Sequence, residues 1–319
     1  MIRLNLTKRR KFNVFSNWRR IVVFLSKVIF FCEVASVNAQ PIEITSVELL
    51  SDGTKIHATI YKPTEVVGKL PAIAMAHGWG GEASYLASPA RRFAEAGFFV
   101  LVFDYRGWGK SDSRLVQKKN VTTGNYETVA YKGLVDPLDQ AEDYFSVVNW
   151  LATDHRVDSA RIGLWGTSWS GGTVVYVAAR DSRVKALVSQ ASPVGWAGDA
   201  DTMKRFLVTG GERARGIRGY PKPFKKEIGN LRGGMVYERL ARFNPREDAA
   251  NISQCATLFL VAEFEELFDN QKTALVAHNR IPGISKYVIL KGASHYSVYY
   301  GEVAKKAGTE AVTWFLEHL

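Results

Sequence analysis

The sequence predicts an α/β fold, a mostly parallel sheet with helices on both faces, and three observations carry that expectation. Short continuous apolar runs such as "PAIAMAH" and "FFVLVFD" mark strands buried on both faces. Between them lie stretches with helical spacing, the longest being "VDPLDQAEDYFSVVNWLATD". Strands and helices alternate, which requires parallel pairing through crossover connections. With 319 residues, 46% of them hydrophobic and 12% aromatic, the chain is long and apolar enough for one large core. It shows no repeat and no low-complexity tract.

The elements follow in order. "IEITSVELL", a turn at Asp52-Gly53 and "KIHATIY" read as an antiparallel hairpin leading into the sheet. "PAIAMAH" is the first buried strand; a helix follows around Ala87 to Ala96, then the strand "FFVLVFD". Asp136 is placed to cap the next helix, with Pro137 in its first turn, where its missing N–H costs nothing. "RIGLW", "ALVSQAS", "TLFLVA" and "YVILK" are the later strands, and "GTEAVTWFLEHL" is a closing helix.

Residues 1–39 read as an export signal: a basic start, a mostly apolar run "IVVFLSKVIFFCEVA", and "VNA" before Gln40 as a small-residue cleavage site. Export to the periplasm or exterior is the expectation, with a membrane anchor formed by an uncleaved segment as the alternative. The leader holds eight of the 42 Lys/Arg and one of the 31 Asp/Glu, so the net charge falls from +11 to +4 from Gln40 onward. The basic balance therefore gives no case for nucleic acid. Cys32 leaves with the leader, and Cys255, before an apolar strand, reads as a buried small residue.

Sheets of this kind place ligands beyond the carboxyl ends of their strands, and the glycine-rich motifs all stand there. In "GLWGTSWSGG", Ser168 occupies the corner between strand and helix, with Gly166 and Ser170 as its small neighbours, whereas Ser170 is already in the first helical turn. Ser168 is the expected nucleophile, and the N–H of Trp169 then stands at a helix N-terminus, where an oxyanion is stabilised. The loop "HGWGG", His77 to Gly81, offers a second oxyanion N–H from Trp79; His77 itself reads as a loop brace. Asp104 and Arg106, in "DYRGWGKSD", read as braces beneath the site.

A serine needs a histidine to take its proton, and the histidine needs a carboxylate to hold its tautomer. Of His57, His77, His155, His278, His295 and His318, His295 alone sits in a loop just after a late strand, and it is the expected base. The acid should follow "TLFLVA", where Glu265 stands to point over the sheet. Glu266 is its close rival, and Asp199 or Asp201 a remoter one.

These motifs, together with "LVAEFEELF" and "GASHYSVYYG", resemble the α/β-hydrolase superfamily, and more narrowly the esterases grouped with dienelactone hydrolase and xylan-esterase-like enzymes, over Ile42 to Leu319. The resemblance implies a Ser-His-acid hydrolase of small-molecule esters with no cofactor and no metal, and a helical cap inserted after the sixth strand. Acyl transfer or peptide hydrolysis on the same triad, and a non-catalytic binding protein retaining the fold, are the alternatives. The cap is expected over about 196–246. Between Met203 and Arg246 it carries twelve basic residues against Glu212, Glu227 and Glu238. A solvated surface is the favoured reading of that charge; attraction of an anionic substrate is the sharper one.

Overall fold

The computed structural model describes residues 40–120, 122–195, 198–228 and 230–319, and these described residues belong to one compact unit. The expected export signal and cleavage site, residues 1–39, lie outside the described residues. Eight strands make the central sheet: β1 (Ile42–Ser51), β2 (Thr54–Pro63), β3 (Leu70–Ala76), β4 (Phe99–Phe103), β5 (Val157–Thr167), β6 (Val184–Gln190), β7 (Ala256–Phe264) and β8 (Ser285–Ser294). Their order across the sheet is β1-β2-β4-β3-β5-β6-β7-β8. β1 and β2 are antiparallel, β2 meets β4 antiparallel, and every later pairing is parallel.

The leading hairpin closes at Ser51↔Thr54 with both turn residues at positive φ, Asp52 at 49° and Gly53 at 77°. That is the twist-matched two-residue turn for which Asp-Gly is suited. β4 is buried along its whole length, as a strand covered on both faces must be.

The helices are α1 (Ala87–Glu95), α2 (Pro137–Thr153), α3 (Trp169–Ala178), α4 (Ala200–Ala214), α5 (Pro245–Asp248), α6 (Ala274–Arg280) and α7 (Gly301–His318). Two apolar clusters flank the sheet. One packs Tyr144, Val148, Val174 and Ala277 of α2, α3 and α6; the other packs Phe93, Trp314 and Phe315 of α1 and α7. Asp136 caps α2 by accepting from the N–H groups of Leu138 and Asp139.

Two segments show more than the sequence reading assigned. Arg114–Lys119 and Tyr126–Tyr131 form an antiparallel hairpin outside the main sheet; its exposed face carries little hydrophobic contrast from which a strand could be read. Between β6 and β7, α4 is joined by a 3-10 segment (Tyr237–Arg242), a short pairing of Lys226–Ile228 with Leu231–Arg232, and a two-residue strand Gly234–Met235 beside Leu134–Val135. Among the described residues no helix is long and apolar enough to cross a membrane.

Candidate active site

β5 runs into α3 through Ser168, which adopts φ 52°, ψ −127°. A non-glycine residue there is strained, and such strain persists only when the surroundings over-determine it. They do: the Ser168 N–H donates to the Gln190 carbonyl at 2.8 Å and its carbonyl accepts from Gly171 at 3.0 Å. Gly166 lets α3 lie against the strand, since a Cβ there would stand 2.4 Å from the Ser170 carbonyl oxygen.

Ser170 is fully buried. The Tyr105 hydroxyl donates to its Oγ at 2.9 Å, and the Tyr144 hydroxyl lies 2.9 Å from that Oγ and donates to the Trp165 carbonyl at 3.0 Å. Burial pushes both tyrosine hydroxyls above their ordinary range, so they stay protonated. Ser170 is a structural hub beneath the corner, out of reach of any substrate.

The Ser168 Oγ lies 3.1 Å from His295 Nε2, and His295 Nδ1 lies 3.0 Å from the Glu265 carboxylate. His295 and Glu265 side chains are only 3% and 2% exposed, so this contact is not screened by water. Glu265 also accepts from the Leu267 N–H at 3.1 Å. Glu266 does something different: its carboxylate accepts the backbone N–H of His295 at 2.8 Å, holding the loop rather than the ring.

Among the described residues, the other carboxylates of these loops make no contact with the His295 ring; Asp201 lies in the first turn of α4. Asp199 caps α4, Glu263 pairs with Lys291, and Asp269 pairs with Lys272. Phe268 and Tyr296 meet the His295 ring edge to face at 5.7 and 5.4 Å, fixing its plane. Tyr299 bonds Thr167 Oγ1 at 2.9 Å beside Ser168, and burial of its hydroxyl pushes the pKa up to about 12.

The His77–Gly81 loop comes against this corner. A Cβ on Gly78 would stand 2.7 Å from Ser168 Cβ, which is the close backbone approach that glycine permits. His77 is buried, and burial holds its ring neutral; its Nδ1–H donates to the Gly78 carbonyl at 2.8 Å. Asp104 accepts from Ala83 N–H at 2.7 Å and Lys110 N–H at 3.1 Å, and Arg106 pairs with buried Asp143 at 2.7 Å. Trp169 is the first residue of α3, so its N–H has no intrahelical acceptor. The Trp79 and Trp169 rings meet edge to face at 5.5 Å, and the Trp169 indole donates to Gln140 Oε1 at 2.8 Å. The sequence reading did not reach Gln140; a polar residue one turn inside the apolar face of α2 was its signal.

Ser168 opens on a cavity of about 570 Å³ walled by Trp79, Trp169, Leu231, Met235, Leu240 and Phe268 among others. Asp269 and Lys272, paired at 3.5 Å, are its charged wall residues. None of the twelve cap cations belongs to this wall. Several are engaged elsewhere: Arg213 with Glu238, Arg218 with Glu212, Arg239 with Asp136 and Asp139. Among the described residues no cluster of three His, Cys, Asp or Glu side chains suits a metal ion. Cys255 is buried, and desolvation pushes its thiol up to about 12, which makes it inert.

A parallel sheet with a strained serine corner and a histidine loop after the last strand defines an α/β-hydrolase. Within that class, the profile of the X-Pro dipeptidyl-peptidase (S15) family matches residues 52–212, half of the chain. The chain belongs to that family. An Escherichia coli uncharacterized 31.7 kDa protein of the traX-finO intergenic region is 27% identical over 285 residues, 79% of this chain and 92% of that one. The quorum-quenching protein AidA of Acinetobacter baumannii is 35% identical over 156 residues, covering 49% and 46% of the two chains. The thiohydrolase aneE of Aspergillus aculeatus is 35% identical over 147 residues, covering 46% and 40%. Among solved structures, DcsB in complex with its substrate analogue superposes with a TM-score of 0.70 at 24% identity, over 87% of this chain and all of that one. A dienelactone hydrolase-like protein from Klebsiella pneumoniae gives 0.58 at 15% identity, over 88% and 100%.

Proposed function

We propose that this protein is a serine hydrolase that cleaves carboxylic esters through Ser168, His295 and Glu265. The observation that carries the reading is the continuous Ser168–His295–Glu265 contact, 3.1 and 3.0 Å, which meets a largely apolar cavity at Ser168. His295 Nε2 takes the Ser168 proton as Oγ attacks the carbonyl carbon. Glu265 holds the Nδ1–H tautomer and stabilises the imidazolium. The N–H groups of Trp79 and Trp169 receive the oxyanion. His295 then returns the proton to the leaving alcohol, and water repeats the attack on the acyl-enzyme.

The cavity favours an ester over a dipeptide with a free amino terminus. An ammonium group needs a carboxylate to receive it, and the wall's Asp269 is already paired with Lys272. The mostly apolar wall also favours an uncharged substrate over an anionic one. Acyl transfer on the same residues is the second reading, favoured by the relatives named polyketide transferase grgF and acyltransferase drtE, 26% and 28% identical over 170 and 120 residues.

The test is labelling with an active-site serine phosphonate beside an aryl-ester assay. Ser168→Ala should abolish both signals and Ser170→Ala should leave most of each; phosphonate recovered on Ser170 by mass spectrometry would overturn the assignment. Adding an acceptor alcohol separates hydrolysis from transfer by product ratio. Export with cleavage after Ala39 remains part of the proposal, checked by N-terminal sequencing of the mature protein.

A further inference from the structure

The cap segment 234–240 rests on residues 134–139, and charge fixes the contact. Gly234–Met235 pairs with Leu134–Val135, and the Val236 N–H donates to the Val135 carbonyl at 3.0 Å. Next along the chain, the Arg239 guanidinium donates to Asp136, the cap of α2, at 3.1 Å and to Asp139, in its first turn, at 2.8 Å. Arg114, from the hairpin outside the sheet, closes on the other side of Asp139 at 2.7 Å. These side chains are largely buried: Arg239 is 20% exposed, Asp136 8% and Asp139 13%. Screening is therefore weak, and loss of the Arg239 cation leaves two adjacent carboxylates poorly compensated.

The anchor borders the substrate cavity. Tyr237 and Leu240, on either side of Arg239 in one 3-10 turn, are both wall residues, as is Met235. The same turn carries α4: Phe206 stacks on Tyr237 at 4.6 Å, and Arg213 pairs with Glu238. One residue past Asp139, Gln140 holds the Trp169 indole, which forms the facing wall. The first helical turn of α2 is thus a common platform for both sides of the cavity.

We propose that Arg239, clamped on Asp136 and Asp139, is a positioning residue for substrate selection: it fixes the Met235–Leu240 wall of the cavity and so confers preference for esters with a large apolar acyl group over small ones. Arg239 touches neither Ser168, His295 nor Glu265, so its loss should leave the chemistry of a small ester unchanged. The substrate assignment rests on the ester-hydrolase reading above, but the wall it describes can be probed without turnover.

The experiment compares wild type, Arg239→Gln and Arg239→Lys with p-nitrophenyl acetate and p-nitrophenyl octanoate, and titrates each protein with N-phenyl-1-naphthylamine, a neutral apolar fluorophore. Glutamine keeps a donor but loses the charge; lysine keeps the charge but replaces the guanidinium, whose Nη1 donates to both carboxylates, by a flexible ammonium. The expected result is a rise of about tenfold in KM for the octanoate and in Kd for the fluorophore in Arg239→Gln, the order of discrimination that pocket contacts supply. Acetate turnover and phosphonate labelling should stay within about threefold of wild type, and Arg239→Lys should fall between. Equal losses on both esters, or an unchanged fluorophore Kd, would overturn the proposal. If wild type turns over neither ester and takes no phosphonate, the ester reading falls, while the fluorophore titration still decides the role of Arg239. Should Arg239→Gln fail to fold, Arg239→Lys carries the same comparison.

Discussion

Replacing Gly78 by alanine tests whether the glycine loop presses on Ser168, the proposed nucleophile. The new Cβ would meet Ser168 Cβ at 2.7 Å, the Thr167 carbonyl oxygen at 3.1 Å and Ser168 Oγ at 3.3 Å. Carbon–carbon contacts are comfortable from about 3.5 Å, so the two backbones must part by roughly 1 Å. Neither side yields freely. Ser168 is tied to Gln190 and Gly171, and the Gly78 carbonyl accepts from both Gly81 N–H and His77 Nδ1–H. A displacement of about 1 Å at reacting groups costs about 10²-fold in rate. The shift also carries the Trp79 N–H away from the proposed oxyanion position, and loss of one such donor costs about 10²–10³-fold. Because both losses come from one movement they overlap, and the expected fall in kcat/KM is about 10²–10³-fold, or roughly 3–4 kcal/mol. Gly53→Ala is the control. Gly53 has φ +77° and nothing within 4 Å of an added Cβ, so alanine there costs about 1–2 kcal/mol of stability through backbone strain and nothing in turnover. The assay is aryl-ester kinetics with the rate of phosphonate labelling, alongside thermal melts by circular dichroism. Gly78→Ala retaining activity within threefold of wild type would refute the close approach and the oxyanion role assigned to this loop.

Glu265→Gln should lower kcat by about 10⁴-fold through loss of the charge that fixes the histidine tautomer, whereas Glu266→Gln, which can still accept the His295 backbone N–H, should cost little; a reversed order in steady-state kinetics would exchange their roles. Asp136 carries a pKa raised from 3.8 to about 6, by burial first and then by Asp139, against the pull of Arg239 and Arg114; Arg106, Tyr131 and Tyr220 face the same small space. Because its folded pKa lies above the unfolded one, its contribution to stability is fully present below pH 4 and is lost as pH rises through 6. Asp136→Asn, an equally good helix cap, should therefore stabilise the protein at pH 8 by up to about 3 kcal/mol and flatten the profile between pH 4 and 6; denaturant titrations that keep the wild-type slope would refute this. Ser170→Ala removes the acceptor of the Tyr105 hydroxyl and the O–H that reaches Tyr144, and should cost about 1–3 kcal/mol of stability in the same titrations, with turnover largely kept.

Much of this molecule is written in short-range signals. Alternation in "IEITSVELL" and the Asp52-Gly53 pair determine the leading hairpin, because a turn with both φ positive suits few other residues. Continuous apolarity determines the inner strands, and Asp136-Pro137 marks the start of α2 within the span of its own hydrogen bonds. Ser168 was legible as the corner residue because strand end and helix start lie within four residues of it, and His295 because it alone among the six histidines follows a late strand by a loop. Tertiary packing decided the rest. Glu265 and Glu266 are chemically alike neighbours, and which one meets the imidazole depends on how β7 leaves β8 after the register shift between Ala262 and Phe264. The cap's charge could be counted in the sequence, but not its destination: Arg239 finds carboxylates 103 and 100 residues away, and the cavity wall is left to Leu231, Met235 and Leu240. Propensity and periodicity act over a few residues, whereas ion pairs and cavity walls join segments that only the closed fold brings together.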